Sequence, residues 1–223
     1  MPQLIAMVIV VVGAMIYMFQ TFGGTGDKIE GIAQKTSVIT EINNIKNGLK
    51  LAARAQHIAS TATGDASNNL LGLADLAYFP EQINDQIKLN ADTTNNSYNA
   101  ISFGGSATDK GGMILQLVAP AEVPGTPPTK RIPGIYVEFT GNLEANKAFL
   151  ESQISTDLEA VAYIDRAATT ATAAAGVKDN AASATSIDKR TPAMTSATPT
   201  PTQLSDGKFI IYFKDFGSDE VVQ

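Results

Sequence analysis

The side chains able to do chemistry in this chain are few and scattered. His57 is the one histidine. It closes an amphipathic segment with no second ligand or triad companion near it in sequence, so its expected place is a part-exposed helix residue. The chain has no cysteine, which removes thiolate nucleophiles, thiol-held metal clusters and disulfides. Gly104-Gly105 and Gly111-Gly112 precede no helix and read as turns, not as a phosphate cradle, and no Walker or dinucleotide fingerprint is present. Asp215, Asp219 and Glu220 do not follow the alternating spacing of a calcium loop and read as an acidic, solvated tail. Lys130-Arg131 is a small basic patch, and a formal charge of −6 with a pI near 4.8 opposes binding to nucleic acid. The expectation is a protein that is not an enzyme and takes no cofactor or metal.

Covalent modification is the chemistry that remains. Asn95-Asn96-Ser97 is a single N-glycosylation sequon. Residues 167–202 are dominated by Ala, Thr, Ser and Pro, with Val177, Ile187 and Met194 as the larger apolar side chains. Such a composition cannot by itself bury enough surface to offset chain entropy. Two expectations stand side by side: a mobile surface excursion, or an outward-facing O-glycosylated tract with Thr195, Thr198, Thr200 and Thr202 as acceptors.

The strongest feature is the apolar run from Leu4 to Phe19, with no charged residue before Asp27. As a helix, residues 2–21 would reach roughly 30 Å, the thickness of a bilayer's hydrocarbon core. The run is apolar all round, so it calls for lipid or a hydrophobic bundle. No basic residue precedes it and no small-residue cleavage site closes it, unlike a secretory signal. Met1 then reads either as a processed N-terminus whose basic leader has been removed or as the start of a plain N-terminal membrane anchor. Residues 22–26 (Phe-Gly-Gly-Thr-Gly) break the helix, since three glycines in four positions oppose helical backbone. Asp27 then reads as an N-cap with Glu30 completing a capping box. Ile29, Ile32, Ile39, Ile42, Ile45 and Leu49 recur at helical spacing, with Ala52 and Ala53 continuing the stripe to about Ala59. Lys28, Glu30, Lys35, Glu41 and Lys50 fall largely off the stripe and are expected on a solvated face.

An apolar half-helix, a glycine break and an amphipathic half-helix together resemble a type IV pilin. Residues 143–150 (LEANKAFL), after the strand-like Gly134–Phe139, look like the strand-then-helix segment of type IVb pilin heads. The resemblance implies a subunit held in the inner membrane, then handed by a pilus assembly machinery to a helical homo-oligomer on the cell surface. It implies that the leading helix packs in the filament core through Leu4, Ile5, Met7, Val8, Val11, Val12, Met15 and Phe19. Gly23, Gly24 and Gly26 would form the adjustable joint, and Met1 would be methylated. Two features depart from the family: Ile5 stands where it usually has Glu, and the usual head disulfide has no cysteines to form it. The alternative is a single-pass, membrane-anchored surface or periplasmic binding protein, whose span serves only as an anchor.

The resulting organisation is a membrane or filament-core helix over 1–22, the break and amphipathic helix over 23–60, and a globular head over 61–166. An Ala/Thr/Ser/Pro-rich surface insert covers 167–206, and a last strand with an acidic tail covers 207–223. Within the head, residues 70–79 read as a short helix stopped by Pro80. Residues 98–103, 113–119, 134–139, 158–164 and 208–213 read as strands separated by turn residues. The five prolines of 120–133 indicate an extended surface connection. The fold class expected is α+β: a long N-terminal helix, broken near 22–26, packed on one face of an antiparallel sheet.

Overall fold

The computed structural model describes residues 30–59, 64–89, 98–99, 103, 112–119, 131–174, 192, 194–217, 220 and 222. The break at 22–26 and the apolar run before it lie outside these residues. Helix α1 covers 30–54, and its inward stripe of Val38, Ile42, Ile45, Leu49, Ala52 and Ala53 is at most 1% exposed. The helix stops at Arg54 and not near Ala59. Gln56 takes a left-handed φ of 62°, and the amides of Gln56 and His57 turn back to the carbonyls of Ala53 and Ala52 at 3.0 and 2.9 Å. This is a Schellman closure, which usually carries glycine at its left-handed position. Glutamine there hides the stop from sequence.

The same device ends α2 (Leu70–Asp75). Ala77 has φ 60°, and Ala77 and Tyr78 donate to the carbonyls of Ala74 and Leu73. The helix expected over 70–79 is therefore shorter than its hydrophobic pattern. Its start follows the usual rule, with the Asn69 side chain accepting from the Gly72 amide at 2.9 Å. Pro80 opens a helix that the sequence reading did not contain, α3 (Glu81–Leu89). The Pro80 carbonyl accepts from Ile83 and Asn84 at 2.9 and 3.0 Å. The Asn84 side chain in turn brackets the backbone of Phe79, accepting from its N–H and donating to its carbonyl. Phe79 lies on α1 at Gly48, where a Cβ would collide with the phenyl ring.

The sheet has five antiparallel strands in the order β1-β2-β3-β5-β4, namely β1 (Tyr98–Asn99), β2 (Met113–Val118), β3 (Gly134–Phe139), β4 (Ala162–Asp165) and β5 (Lys208–Phe213). The α+β class and the antiparallel sheet are as expected. Of the strand expected over 98–103, Tyr98 and Asn99 pair with β2 and residues 100–102 lie outside the described residues, while residues 158–161 are the end of a helix and a turn, not strand. That helix, α4 (Lys147–Leu158), follows a 3-10 turn over Gly141–Asn146. β3 and β4 both run antiparallel to β5, which lies between them. The unit β3–α4–β4 is thus a β-α-β crossover split by the last strand.

Register assigns the two faces. Ile135, Val137, Phe209 and Ile211 pair on one side, while Tyr136, Glu138, Ile210 and Lys208 pair on the other. Lys46 of α1 sits 4.7 Å over the Phe213 ring, so the first side faces α1. The second side is also buried: Tyr136, Ile210 and Tyr212 are at most 3% exposed. Part of its cover is the alanine-rich chain after β4. Tyr136 Oη donates to the Thr169 carbonyl at 3.2 Å, Ala168 belongs to the core cluster, and Ala171 and Ala173 pack against it. A one-sided sheet was expected because this composition makes no core alone; laid over tyrosine rings, its small side chains fit closely.

Two buried carboxylates tie these parts together. Glu151 of α4, 0% exposed, accepts from Arg166 Nε at 2.8 Å and from the Gly207 amide at 2.9 Å. Gly207 has φ +78°, a backbone that favours glycine and that presents its N–H to the carboxylate. Arg166 also donates to the Leu204 carbonyl at 2.6 Å. Burial pushes the Glu151 carboxyl above the usual range, against the pull of Arg166 and the Gly207 amide. Removing one member of such a buried pair leaves the other charge uncompensated, at about 3–5 kcal/mol. Glu151→Ala is expected to lower unfolding free energy by about that amount and Glu151→Gln by clearly less, as read by urea denaturation followed by circular dichroism.

Candidate functional site

Leu4, Ile5, Met7, Val8, Val11, Val12, Met15 and Phe19, together with Gly23, Gly24, Gly26, Met1 and Asn95, lie outside the described residues. Where the apolar run leads into the head, α1 is described from residue 30. The surface that this helix offers is therefore the described part closest in sequence to the expected assembly segment.

The charged side chains of α1 between Lys35 and Arg54 turn to the protein's own body. Lys35 meets Asp157 of α4 at 2.6 Å. Glu41 accepts from Tyr98 Oη at 3.0 Å, and burial together with that carboxylate raises the tyrosine's pKa. Lys46, Lys50 and Arg54 recur every four residues along one flank and grip the chain after β5. Lys46 reaches Asp215 at 3.0 Å. Lys50 lies 3.5 Å from both Asp215 and Glu220, and Arg54 pairs with Glu220. Lys50 also stands 5.8 Å over the Phe216 ring. Glu220, 5% exposed, further accepts from the Gly217 amide at 2.7 Å, and the Val222 amide bonds the Arg131 carbonyl at 2.7 Å. The expectation of a solvated acidic tail is therefore corrected at Glu220, which is buried, while Asp215 stays exposed but paired, and Asp219 lies outside the described residues. The four-residue recurrence of Lys46, Lys50 and Arg54 opposite a late acidic pair was the signal available in sequence.

Turned away from the core, α1 between its exposed end charges Glu30 and Arg54 shows Ile32, Ala33, Thr36, Ser37, Thr40, Asn47 and Leu51 to solvent, none of them charged. Ile32 and Leu51 are 55% and 54% exposed. The hydroxyls of Thr36, Ser37 and Thr40 donate to the carbonyls one turn back, at 3.3, 3.3 and 2.9 Å. This leaves methyl and methylene groups outermost on that face.

The four candidate threonines differ in what holds them. Asp165, 1% exposed, accepts from the Thr195 amide and hydroxyl at 2.7 and 2.8 Å and from the Ala167 amide at 3.1 Å. Thr200 Oγ1 donates to Gln203 Oε1 at 3.0 Å, and Gln203 reaches back to the Ala167 carbonyl. All four threonines are exposed, so the hydroxyl bonds of Thr195 and Thr200, not burial, set them apart from Thr198 and Thr202. His57 Nδ1 and Tyr78 Oη share a hydrogen bond at 2.5 Å, with the rings edge-on at 5.6 Å. It joins the two Schellman closures, a structural role.

At the free edge of β4 a groove of about 460 Å³ is lined by Ser155, Glu159, Tyr163, Met194 and Lys214, among others. Lys214 lies 4.7 Å over the Tyr163 ring and donates to the Glu159 carbonyl, and Ser155 Oγ is buried without a partner. Among the described residues no three His, Asp or Glu side chains come together to hold a metal ion, and no helix is long and apolar enough to cross a membrane. No protein-family model, curated protein or solved structure matches the chain.

The tail clasp has a definite pH sign. Burial opposes ionisation of Asp215 and Glu220, yet the Lys46 and Lys50 contacts at Asp215, and the Gly217 amide, Arg54 and Lys50 at Glu220, hold both carboxyls below their ordinary values. A depressed carboxylate pKa stabilises above the unfolded value, and that contribution is lost as pH falls through the folded value. Amides of residues 214–217 are thus expected to lose hydrogen-exchange protection below the ordinary carboxylate range, before those of β3. Lys50→Ala is expected to raise the pH of release while costing about 1 kcal/mol or less, because Lys50 and Asp215 are part-exposed and Glu220 keeps Arg54 and the Gly217 amide.

Proposed function

We propose that this chain is a structural subunit of an extracellular type IV pilus-like filament. The observation that carries the proposal is the division of labour along its leading segment. Sixteen uncharged, mostly apolar residues from Leu4 to Phe19 precede a helix whose flanking charges are taken up by its own head. Such a run has two places to stay dry, a bilayer and a bundle of its own copies. Before assembly it would hold the subunit in the cytoplasmic membrane, and a pilus assembly machinery would then transfer it into the filament core. The transfer exchanges lipid contacts for packed side chains, so its driving force lies in close packing and not in renewed burial from water. Gly13 and Ala14 permit that close approach, and Met7, Met15 and Met18 adapt to irregular neighbours. Residues 22–26 would absorb the change in direction between the bundle and α1.

Met1 is the expected methylated terminus, and the exposed Thr198 and Thr202 are the better placed acceptors for O-linked sugar. The groove beside β4 is what a membrane-anchored binding protein would use, and in that second reading an unrelated apolar helix could replace the span.

An aspartate at the centre of a transmembrane helix costs about 3 kcal/mol, and in a dry bundle each copy would carry that cost. Val8→Asp or Val11→Asp is expected to abolish filaments while leaving the head's circular dichroism spectrum unchanged in detergent. Filaments of normal yield from either variant would contradict packing of the apolar run in the filament core.

A further inference from the structure

We infer that the groove beside β4 binds a small hydroxylated carboxylate of monosaccharide size, its carboxylate on Lys214 and one of its hydroxyls on Ser155. The groove belongs to the head, so the site stands whether the apolar run bundles or serves only as an anchor.

β4 ends the strand order. On its outer side the last turn of α4, Met194 and Lys214 border a space of about 460 Å³. Sites for small molecules have volumes of this order and combine apolar walls with a few placed polar groups. Tyr163, Ile164 and Met194 form the apolar part here, and Ser155, Glu159 and Lys214 the polar part.

Lys214 differs from the rest of its kind. Lys35, Lys46, Lys50, Lys88, Lys147 and Lys208, the other described lysines, each have a carboxylate within 3.9 Å. Lys214 instead donates to the Glu159 carbonyl at 2.9 Å and stands 4.7 Å over the Tyr163 ring. The carbonyl uses one of three ammonium donors, and the ring holds the charge without neutralising it. Arg166, also in the lining, is already matched by Glu151. The groove therefore presents one positioned cation that lacks a carboxylate.

Ser155 supplies the second contact. Its Oγ is buried without a partner, whereas the adjacent Thr156 hydroxyl donates to the Ser152 carbonyl at 2.9 Å. A buried hydroxyl with no bond is costly, and a ligand hydroxyl reaching it removes that cost. The type of anion follows from the donor set. Phosphate and sulfate sites gather several N–H groups from backbone or guanidinium, and this groove offers a single ammonium. The Glu159 carboxylate in the lining repels a second negative charge and can accept from a further ligand hydroxyl. One carboxylate, several hydroxyls and a C–H face to lie on Ile164 and Met194 make up the complement of the groove.

Methionine methyl groups report on the site in the full-length chain. Met194 lies in the groove and Met113 is buried in β2. Protein labelled with ¹³C-methyl methionine, in detergent micelles, would be titrated with D-galacturonate, with D-galactose, which lacks only the carboxylate, and with acetate, which lacks the hydroxyls. The expected result is a saturable shift of the Met194 methyl with galacturonate, with Met113 unmoved, and binding at least about tenfold weaker for galactose and for acetate. Lys214→Met is expected to bring galacturonate down to the level of galactose, and Lys214→Arg to retain most of the affinity, with the Met113 resonance confirming that both variants fold. No saturable Met194 shift with any of the three compounds overturns the inference. So does equal affinity for galacturonate and galactose, which removes Lys214 from the contact, or for galacturonate and acetate, which leaves a bare charge contact and no shaped site.

Discussion

Val38, Ile42, Ile45 and Leu49 of α1 lie at or below 1% exposure, and keeping that stripe dry governs where every other element goes. At about 1.5–3 kcal/mol per buried aliphatic side chain, the four contribute on the order of 6–12 kcal/mol as an upper figure. The part-exposed ion pairs beside them are worth about 0–1 kcal/mol each. Burial therefore decides that α1 lies on the sheet. The pairs with Asp157, Asp215 and Glu220 decide its rotation and which loops close over its flanks. Because those flanks consume the charges, the outer face is left neutral.

The head holds its long connections without a covalent clip. Glu151 and Asp165, both buried, take hydrogen bonds from segments remote in sequence, Gly207 and Arg166 for one and Thr195 for the other, with the nearby Ala167 amide adding to Asp165. Each fixes one end of the stretch between β4 and β5 to the split crossover. Here the anchoring is electrostatic and reversible, and it depends on low local dielectric to be strong. The consequence is a fold whose late segments respond to protonation, with the tail and the β4–β5 connection set by opposite signs: depressed carboxyls at Asp215 and Glu220, a raised one at Glu151.

Periodicity made the large elements legible. The stripe of α1 and the alternation of β3 and β5 follow from side-chain spacing alone, and so did an antiparallel α+β head. What escaped had local causes. Helix ends closed by Gln56 and Ala77 carry no glycine to announce them, and Pro80 acts as an entry where it had looked like a stop. The stretch 158–161 is apolar at both ends, so its turn resembled strand. The cover on the second sheet face was missed because alanine and threonine are weak core formers; only the tyrosines beneath make them useful. For the docked acidic tail the sequence offered the four-residue recurrence of Lys46, Lys50 and Arg54, but not which late carboxylates that row meets. Of the candidate site, the threonines near 195–202 are placed on the head's surface, while the apolar run and its glycine joint remain sequence statements.

The account stands on the leading apolar segment being shared among copies of the chain. Immunogold electron microscopy of material sheared from cells making the full-length protein, with an antibody to the described head, tests this most directly. Filaments labelled along their whole length are the predicted result. Label confined to membrane fragments, with no filaments in the sheared fraction, would contradict it.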